Sequence, residues 1–126
     1  MARAARLFVV LGALLAALGV ALGAYGAHAL KAKLAPEALA IYQTAVQYHM
    51  WHALGLVAVG LLCNALPGSG WLRASGWLLT AGIMLFSGSL YLLAVTGTRW
   101  FGALTPLGGS ALMLGWLALA LALLRA

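Results

Sequence analysis

Four stretches of this chain, residues 7–30, 42–66, 72–95 and 101–124, are each long and apolar enough to cross a bilayer. A hydrocarbon core of about 30 Å takes about 20 apolar residues of helix, and every stretch reaches that length. In lipid each backbone N–H and C=O must be satisfied inside its own segment, so the expected fold is all-α: a four-helix transmembrane bundle with short connections. Four crossings also fix which ends meet. The end of span 1, the start of span 2, the end of span 3 and the start of span 4 share one side. Those ends carry His28, then Tyr48, His49 and His52, then Ser87, Ser89 and Tyr91, then Thr105 and Pro106. The other half is nearly free of polar side chains, so a polar region toward one membrane face is expected.

Composition excludes a water-soluble alternative. Only 6% of residues are charged and 66% are hydrophobic, against about 25% charged in a soluble domain. Four spans and their turns consume the whole length, so residues 1–126 read as one domain. The net charge of +6 does not point to nucleic acid. Arg3, Arg6, Lys31, Lys33, Arg73, Arg99 and Arg125 stand at or beyond span ends, where basic side chains meet lipid headgroups. No basic run interleaved with aromatics exists to follow a phosphate backbone. Arg3, Arg6, Arg73 and Arg125 share one side, and Lys31, Lys33 and Arg99 the other. A multi-pass protein of the cell (inner) membrane is expected, and that asymmetry of four against three favours both termini in the cytoplasm with the polar half outward.

The N-terminus could pass for a secretory signal: Arg3 and Arg6, an apolar run, then Ala27-His28-Ala29. The run is longer than a usual signal core, however, and carries Gly12, Ala16, Gly19, Gly23 and Gly26 at spacings of four, three, four and three. Small residues on one face let a second helix approach closely, so span 1 is expected to be retained and packed through that stripe. Cys63 is the single cysteine. It excludes an internal disulfide or a cysteine cluster, and reads as a small apolar filler.

The turns are legible. Pro67-Gly68-Ser69-Gly70 breaks spans 2 and 3 apart. Pro36 suits the first position of a helix, and a helix unbroken from there to Asn64 would be about 43 Å long, so its first turns are expected in the interface. Gly97, Thr98 and Arg99 link spans 3 and 4, with Thr105-Pro106 expected as a cap and helix start after a short dip at residues 101–104. Trp71, Trp77 and Trp100 sit near span ends as interfacial anchors do.

Polar positions recur at helical spacing. Thr44, Tyr48, His52 and Gly55 form a stripe on span 2, with His49 on its flank. Gly76, Thr80, Ser87 and Tyr91 align on span 3, and Thr105, Gly109, Leu112 and Trp116 on span 4. Polar groups in hydrocarbon pair with one another or face a wet cavity, and ionisable ones are functional candidates. The plainer reading is that these groups hydrogen-bond across helices, at about 0.6 kcal/mol each.

Enzyme chemistry finds little support. Glu37 is the sole carboxylate side chain, which excludes paired-carboxylate catalysis and leaves hydrolytic metal chemistry without its usual ligand or base. Ser87 and His52 could form a nucleophile pair, but nothing would orient the imidazole. His28 and His52, read as lying at matching depths, could in principle ligate one haem iron. A catalytic or metal-ligand residue is therefore not expected, and the sequence points to no particular cofactor.

The motifs Gly23-Ala24-Tyr25-Gly26-Ala27-His28, Tyr42-Gln43-Thr44-Ala45 through Tyr48 to His52-Ala53-Leu54, Leu85-Phe86-Ser87-Gly88-Ser89-Leu90-Tyr91, and Leu104-Thr105-Pro106-Leu107-Gly108-Gly109 to Gly115-Trp116 run in order along the chain. Together they closely resemble the family of small integral membrane proteins known as domain of unknown function 423. The resemblance spans nearly the whole chain and implies a four-span membrane protein, but no activity. His28 and His52 fall on the family's motif histidines, whereas His49 departs from its pattern, so the resemblance weights the first two above the third.

Three classes of function stand open. The first is a non-enzymatic binding or transport-related protein whose polar site, formed by His28, Tyr48, His52, Ser87, Tyr91 and Thr105, takes a small solute, an ion or a lipid headgroup. Four thin helices offer little room for a pore, so permeation would require a homo-oligomer. The second is a redox accessory holding haem or quinone. The third is an assembly or scaffold subunit covered by a membrane-protein partner. The first is favoured, with the lipid bilayer as partner and the ligand unidentified. Helix packing is assigned to Gly12, Gly19, Gly23 and Gly26.

Overall fold

A computed structural model describes residues 1–126. In chain order it contains α1 (Arg3–His28), a 3-10 turn (Leu30–Ala32), α2 (Pro36–Ala65), α3 (Gly70–Gly82), a π-helical turn (Ile83–Ser87), α4 (Gly88–Thr96), a second 3-10 turn (Arg99–Ala103) and α5 (Thr105–Leu124). The segment from Gly70 to Thr96 is one continuous span, so four helices are long and apolar enough to cross a membrane. The fold is an all-α membrane protein, a four-helix transmembrane bundle.

Local chemistry sets the boundaries. Pro36 occupies the first turn of α2, where its missing N–H breaks no bond. The Ser69 hydroxyl accepts the Leu72 N–H at 3.3 Å and caps α3. Gly97, at φ +71°, ends α4 in a left-handed conformation that a side chain would disfavour. Thr105 does not cap α5 as its spacing suggested. Leu104 precedes the helix without a side-chain cap, and the Thr105 hydroxyl turns instead toward Ser89 on α4.

The bundle is two close helix pairs laid together: α1 runs along α2, and α3 along α5. Glycine makes both approaches tight. A methyl group at Gly12 would stand 2.8 Å from the Ala53 carbonyl oxygen, and one at Gly60 2.7 Å from the Val9 backbone nitrogen, so each helix of the first pair presses on the other's main chain. Gly19 meets Met50 and the His49 ring, and Gly26 faces the Tyr42 ring, but Gly23 makes only ordinary contact with Val46 at 3.4 Å. In the second pair Gly115 meets Leu79, Gly82 meets Leu112, and Gly108 lies directly on the Phe86 backbone. Phe8, Leu56, Leu72, Leu79, Ile83 and Leu112 fill the apolar core between the pairs.

The π-helical turn at residues 83–87 was not foreseen. Its backbone is the surface against which Gly108 packs, and it contacts both α2 and α5. An extra residue in one turn rotates everything beyond it, and such turns often mark functional places. Ser87 at the end of this turn and Tyr91 one turn beyond it both bond α2.

Candidate functional site

The polar side chains divide into a buried layer and a lateral groove. At the centre of the layer His49, only 2% exposed, ties three spans together. Its Nε2 lies 2.7 Å from the Leu15 carbonyl oxygen on α1, and its Nδ1 lies 2.8 Å from the Tyr91 hydroxyl on α4. A carbonyl can only accept, so Nε2 carries the proton and the neutral ring accepts from Tyr91 through Nδ1. Above it the Tyr42 hydroxyl donates to the Leu22 carbonyl, and the Tyr42 and Tyr91 rings lie 5.3 Å apart between centroids. Ser87 donates to Ala45 at 2.8 Å, joining the π-helical turn to α2. On the other pair Ser75 donates to Gly115 at 2.7 Å. No buried side-chain nitrogen or oxygen lacks a partner.

His52 plays a different part. Its Nδ1 donates to the Tyr48 carbonyl one turn earlier at 2.6 Å, which leaves Nε2, on the accessible edge of a ring 7% exposed, as a free acceptor. The ring lies between Tyr48 and Trp116, with centroids 6.0 and 5.7 Å away. Gly55 makes the room, since a methyl there would come within 2.7 Å of the Trp116 ring.

The groove opens sideways between α4 and α5, beside the 3-10 turn that joins them. It encloses about 730 Å³ and is walled by Tyr48, Phe86, Leu90, Leu93, Thr105, Pro106, Gly109 and Met113, among others. Tyr48 packs on Phe86 at 4.6 Å between ring centroids. The hydroxyl bookkeeping on its wall is specific. Ser89 donates to the Phe86 carbonyl at 2.9 Å, so in the 2.7 Å contact between Ser89 and Thr105 the proton belongs to Thr105. Ser110 donates to the Pro106 carbonyl at 2.9 Å. The Tyr48 hydroxyl alone on this wall has no acceptor within the protein.

The six residues expected at one site are therefore distributed over two places and a surface. Tyr48 and Thr105 share the groove; Ser87 and Tyr91 belong to the buried layer; His52 lies behind Tyr48. His28 is exposed at the end of α1 and bonds none of the others. Matching depths for His28 and His52 do not hold. Gly26 packs against Tyr42, and His52 follows Tyr42 by ten residues, about 15 Å along the helix. That offset is incompatible with both imidazoles serving one haem iron. The polar groups also reach deeper than expected: His49 and His52 lie near the midpoint of α2, and Leu15 near that of α1.

His49, which the resemblance ranks below His28 and His52, lies at the centre of the buried layer. The buried face of α2 runs Tyr42, Ala45, His49, His52, Leu56, Val59, Cys63, one step round the helix from the Thr44–Tyr48–His52–Gly55 stripe. Thr44 instead bonds its own helix at Ala40. Tyr42 and Ser75 were missed as buried ties. Their seven-residue partners on the same face (Tyr42 with His49, Ser75 with Gly82) were the available signal.

A family model described as protein of unknown function (DUF423) matches residues 22–109, which contain the buried layer and most of the groove wall. Among relatives, the chain is 48% identical over 120 residues to UPF0382 membrane protein YwdK of Bacillus subtilis, covering 95% of this chain and 98% of that one. It is 45% identical over 124 residues to UPF0382 membrane protein SERP0230 of Staphylococcus epidermidis, covering 95% and 97%. UPF0382 membrane protein SH2409 of Staphylococcus haemolyticus is 41% identical over 118 residues, covering 90% and 92%. No solved structure matches the chain.

Proposed function

The chain belongs to the family described as protein of unknown function DUF423, whose matched relatives are named membrane proteins, and from that premise we propose that it is a non-enzymatic lipid-binding membrane protein. Its ligand is an amphipathic lipid. The tail lies in the groove between α4 and α5, and a carbonyl or ester oxygen accepts the Tyr48 hydroxyl proton. One observation carries the reading: a mostly apolar groove of about 730 Å³ is lined by three hydroxyl-bearing side chains, Tyr48, Thr105 and Ser110, and of these Tyr48 alone makes no hydrogen bond within the protein. The hydroxyl is accessible rather than buried in the protein, and against hydrocarbon a donor without a partner costs about 1–3 kcal/mol, so a ligand oxygen there is favoured. Ligand sites in general combine an apolar wall with a few orienting polar groups.

Permeation through one protomer is disfavoured by the same bookkeeping, since every buried side-chain polar atom is paired. We also infer a cell (inner) membrane location with both termini cytoplasmic. The arginine distribution supports that orientation, and it directs the groove's 3-10 end outward.

The test is native mass spectrometry of protein purified in a mild detergent. A lipid adduct is expected on the wild type and should be lost in Met113→Trp, which fills the groove. A bare wild-type mass under conditions that preserve lipid on a control membrane protein would sink the proposal. A quinone adduct lost in the same variant would reassign the ligand and restore the redox class.

A further inference from the structure

Gln47 is a lipid-depth amide that its own chain does not satisfy. It is exposed on α2, as is Gln43 one turn earlier, and neither side chain makes a hydrogen bond within the protein. Register with α1 gives the depth. Gly19 packs against His49 and Met50, and Gly23 against Val46, so Gln47 lies level with residues 19–23 of span 1. From Gly23 to Lys31, the first charge beyond the end of α1, is about 12 Å, and from Gly19 back to Arg6 about 20 Å. A glutamine side chain spans only a few ångströms, so this amide stays short of the levels that Lys31 and Arg6 mark. Polar side chains held in hydrocarbon are expensive unless they pair, and they drive helix association there.

We propose that the α2 face centred on Gln47 is the interface with a second copy of this chain, related by a two-fold axis along the membrane normal. A primary carboxamide carries both donors and an acceptor, so it satisfies an identical amide reciprocally; copies inserted with the same topology bring Gln47 opposite Gln47 at one depth. Such a self-complementary patch is what a two-fold interface requires. The surrounding positions suit a helix seam. Exposed Ala40, Gln43, Gln47, Trp51 and Leu54 follow one another at spacings of three, four, four and three. Gln43 and Gln47 themselves line a cleft of about 250 Å³ with Gly23, Gly26 and Ala27, which leaves room for a side chain of an opposing helix. None of the seam residues lines the lipid groove, although Trp51 packs on Tyr48 at 5.2 Å between ring centroids, and the inference does not rest on the proposed ligand.

The experiment is oxidative cross-linking in native membranes with the natural Cys63 replaced by Ala. Single cysteines go in at Ala40→Cys and Leu54→Cys on the seam, and at Leu117→Cys on the exposed face of α5 as control. Seam cysteines should give a homodimer band that the control lacks. In reconstituted bilayers Gln47→Leu should raise the dimer dissociation constant roughly fivefold to tenfold, the loss of two weak interhelical bonds, whereas Gln47→Asn should keep most of the association. Thermal melts of both variants separate loss of the dimer from loss of the fold. Equal cross-linking at Leu117, a dimer constant unmoved by Gln47→Leu, or seam cysteines captured by a different protein would each overturn the proposal.

Discussion

His49 Nδ1 and the Tyr91 hydroxyl stand 2.8 Å apart, a bond that joins the middle of α2 to α4 while the other ring nitrogen holds α1. Three of the four spans thus meet at one imidazole. His49→Phe and Tyr91→Phe should each destabilise the bundle in detergent, because each leaves a buried polar group unpaired at about 1–3 kcal/mol. The double variant should cost less than the sum, with a coupling of about 0.6–1.7 kcal/mol as found for membrane hydrogen bonds. Strictly additive costs in a double-mutant cycle would show that the two rings are neighbours without being partners.

The glycines of α1 should differ in tolerance, although their spacing in the sequence treats them alike. At Gly12 an added methyl meets the Ala53 carbonyl oxygen and the Val57 backbone nitrogen, at 2.8 and 2.9 Å, and neither can move without shifting α2. At Gly23 it meets one Val46 methyl at 3.4 Å. Gly12→Ala is expected to cost about 1–3 kcal/mol by overpacking, and Gly23→Ala to be close to neutral. Thermal unfolding of the two variants in one detergent checks this; equal melting temperatures would contradict the packing described.

Much of the fold was legible because hydrocarbon imposes so few solutions. Span number, span length and the proline and glycine turns all follow from apolar runs and breakers, and the spacing of Gly12 and Gly26 puts both on a face that meets α2. The rotation of the third span was not legible. Nothing in Ile83-Met84-Leu85-Phe86-Ser87 itself distinguishes a π-helical turn from an α-helical one, and the close approach of Gly108 to the Phe86 backbone comes from another span. The same reason explains the site. Topology grouped the polar residues by membrane side, but whether a side chain faces a carbonyl or a groove depends on helix rotation. His49 and Tyr91 met because of it, and His28 was left outside.

Gly108 and Gly109 are adjacent and should respond in opposite ways. A methyl at Gly108 would overlap the Phe86 backbone at the π-helical turn, whereas one at Gly109 would rest 3.6 Å from the Phe86 ring. Gly108→Ala is expected to prevent α5 from seating on the third span and to lower the yield of folded protein sharply. Gly109→Ala should fold normally, since its methyl enters the groove wall. Comparable yields and melting temperatures for both would mean that the third span does not approach α5 through its backbone.

Tyr48 gives the most direct test of how the groove selects. Its phenol supplies the one O–H on that wall without an internal acceptor, while its ring is held by Phe86 and His52 with centroids 4.6 and 6.0 Å away. Tyr48→Phe keeps that packing and removes only the donor. Affinity for an ester-bearing fluorescent lipid should fall about twofold to tenfold, the value of one hydrogen bond of about 0.5–1.5 kcal/mol. Affinity for an alkyl probe of equal length without a carbonyl should stay the same, because the tail contacts with Leu90, Leu93 and Met113 are untouched. Equal losses for both probes would assign Tyr48 to the shape of the groove. An unchanged affinity for the ester would remove the hydroxyl from recognition and with it the basis for choosing a carbonyl-bearing ligand.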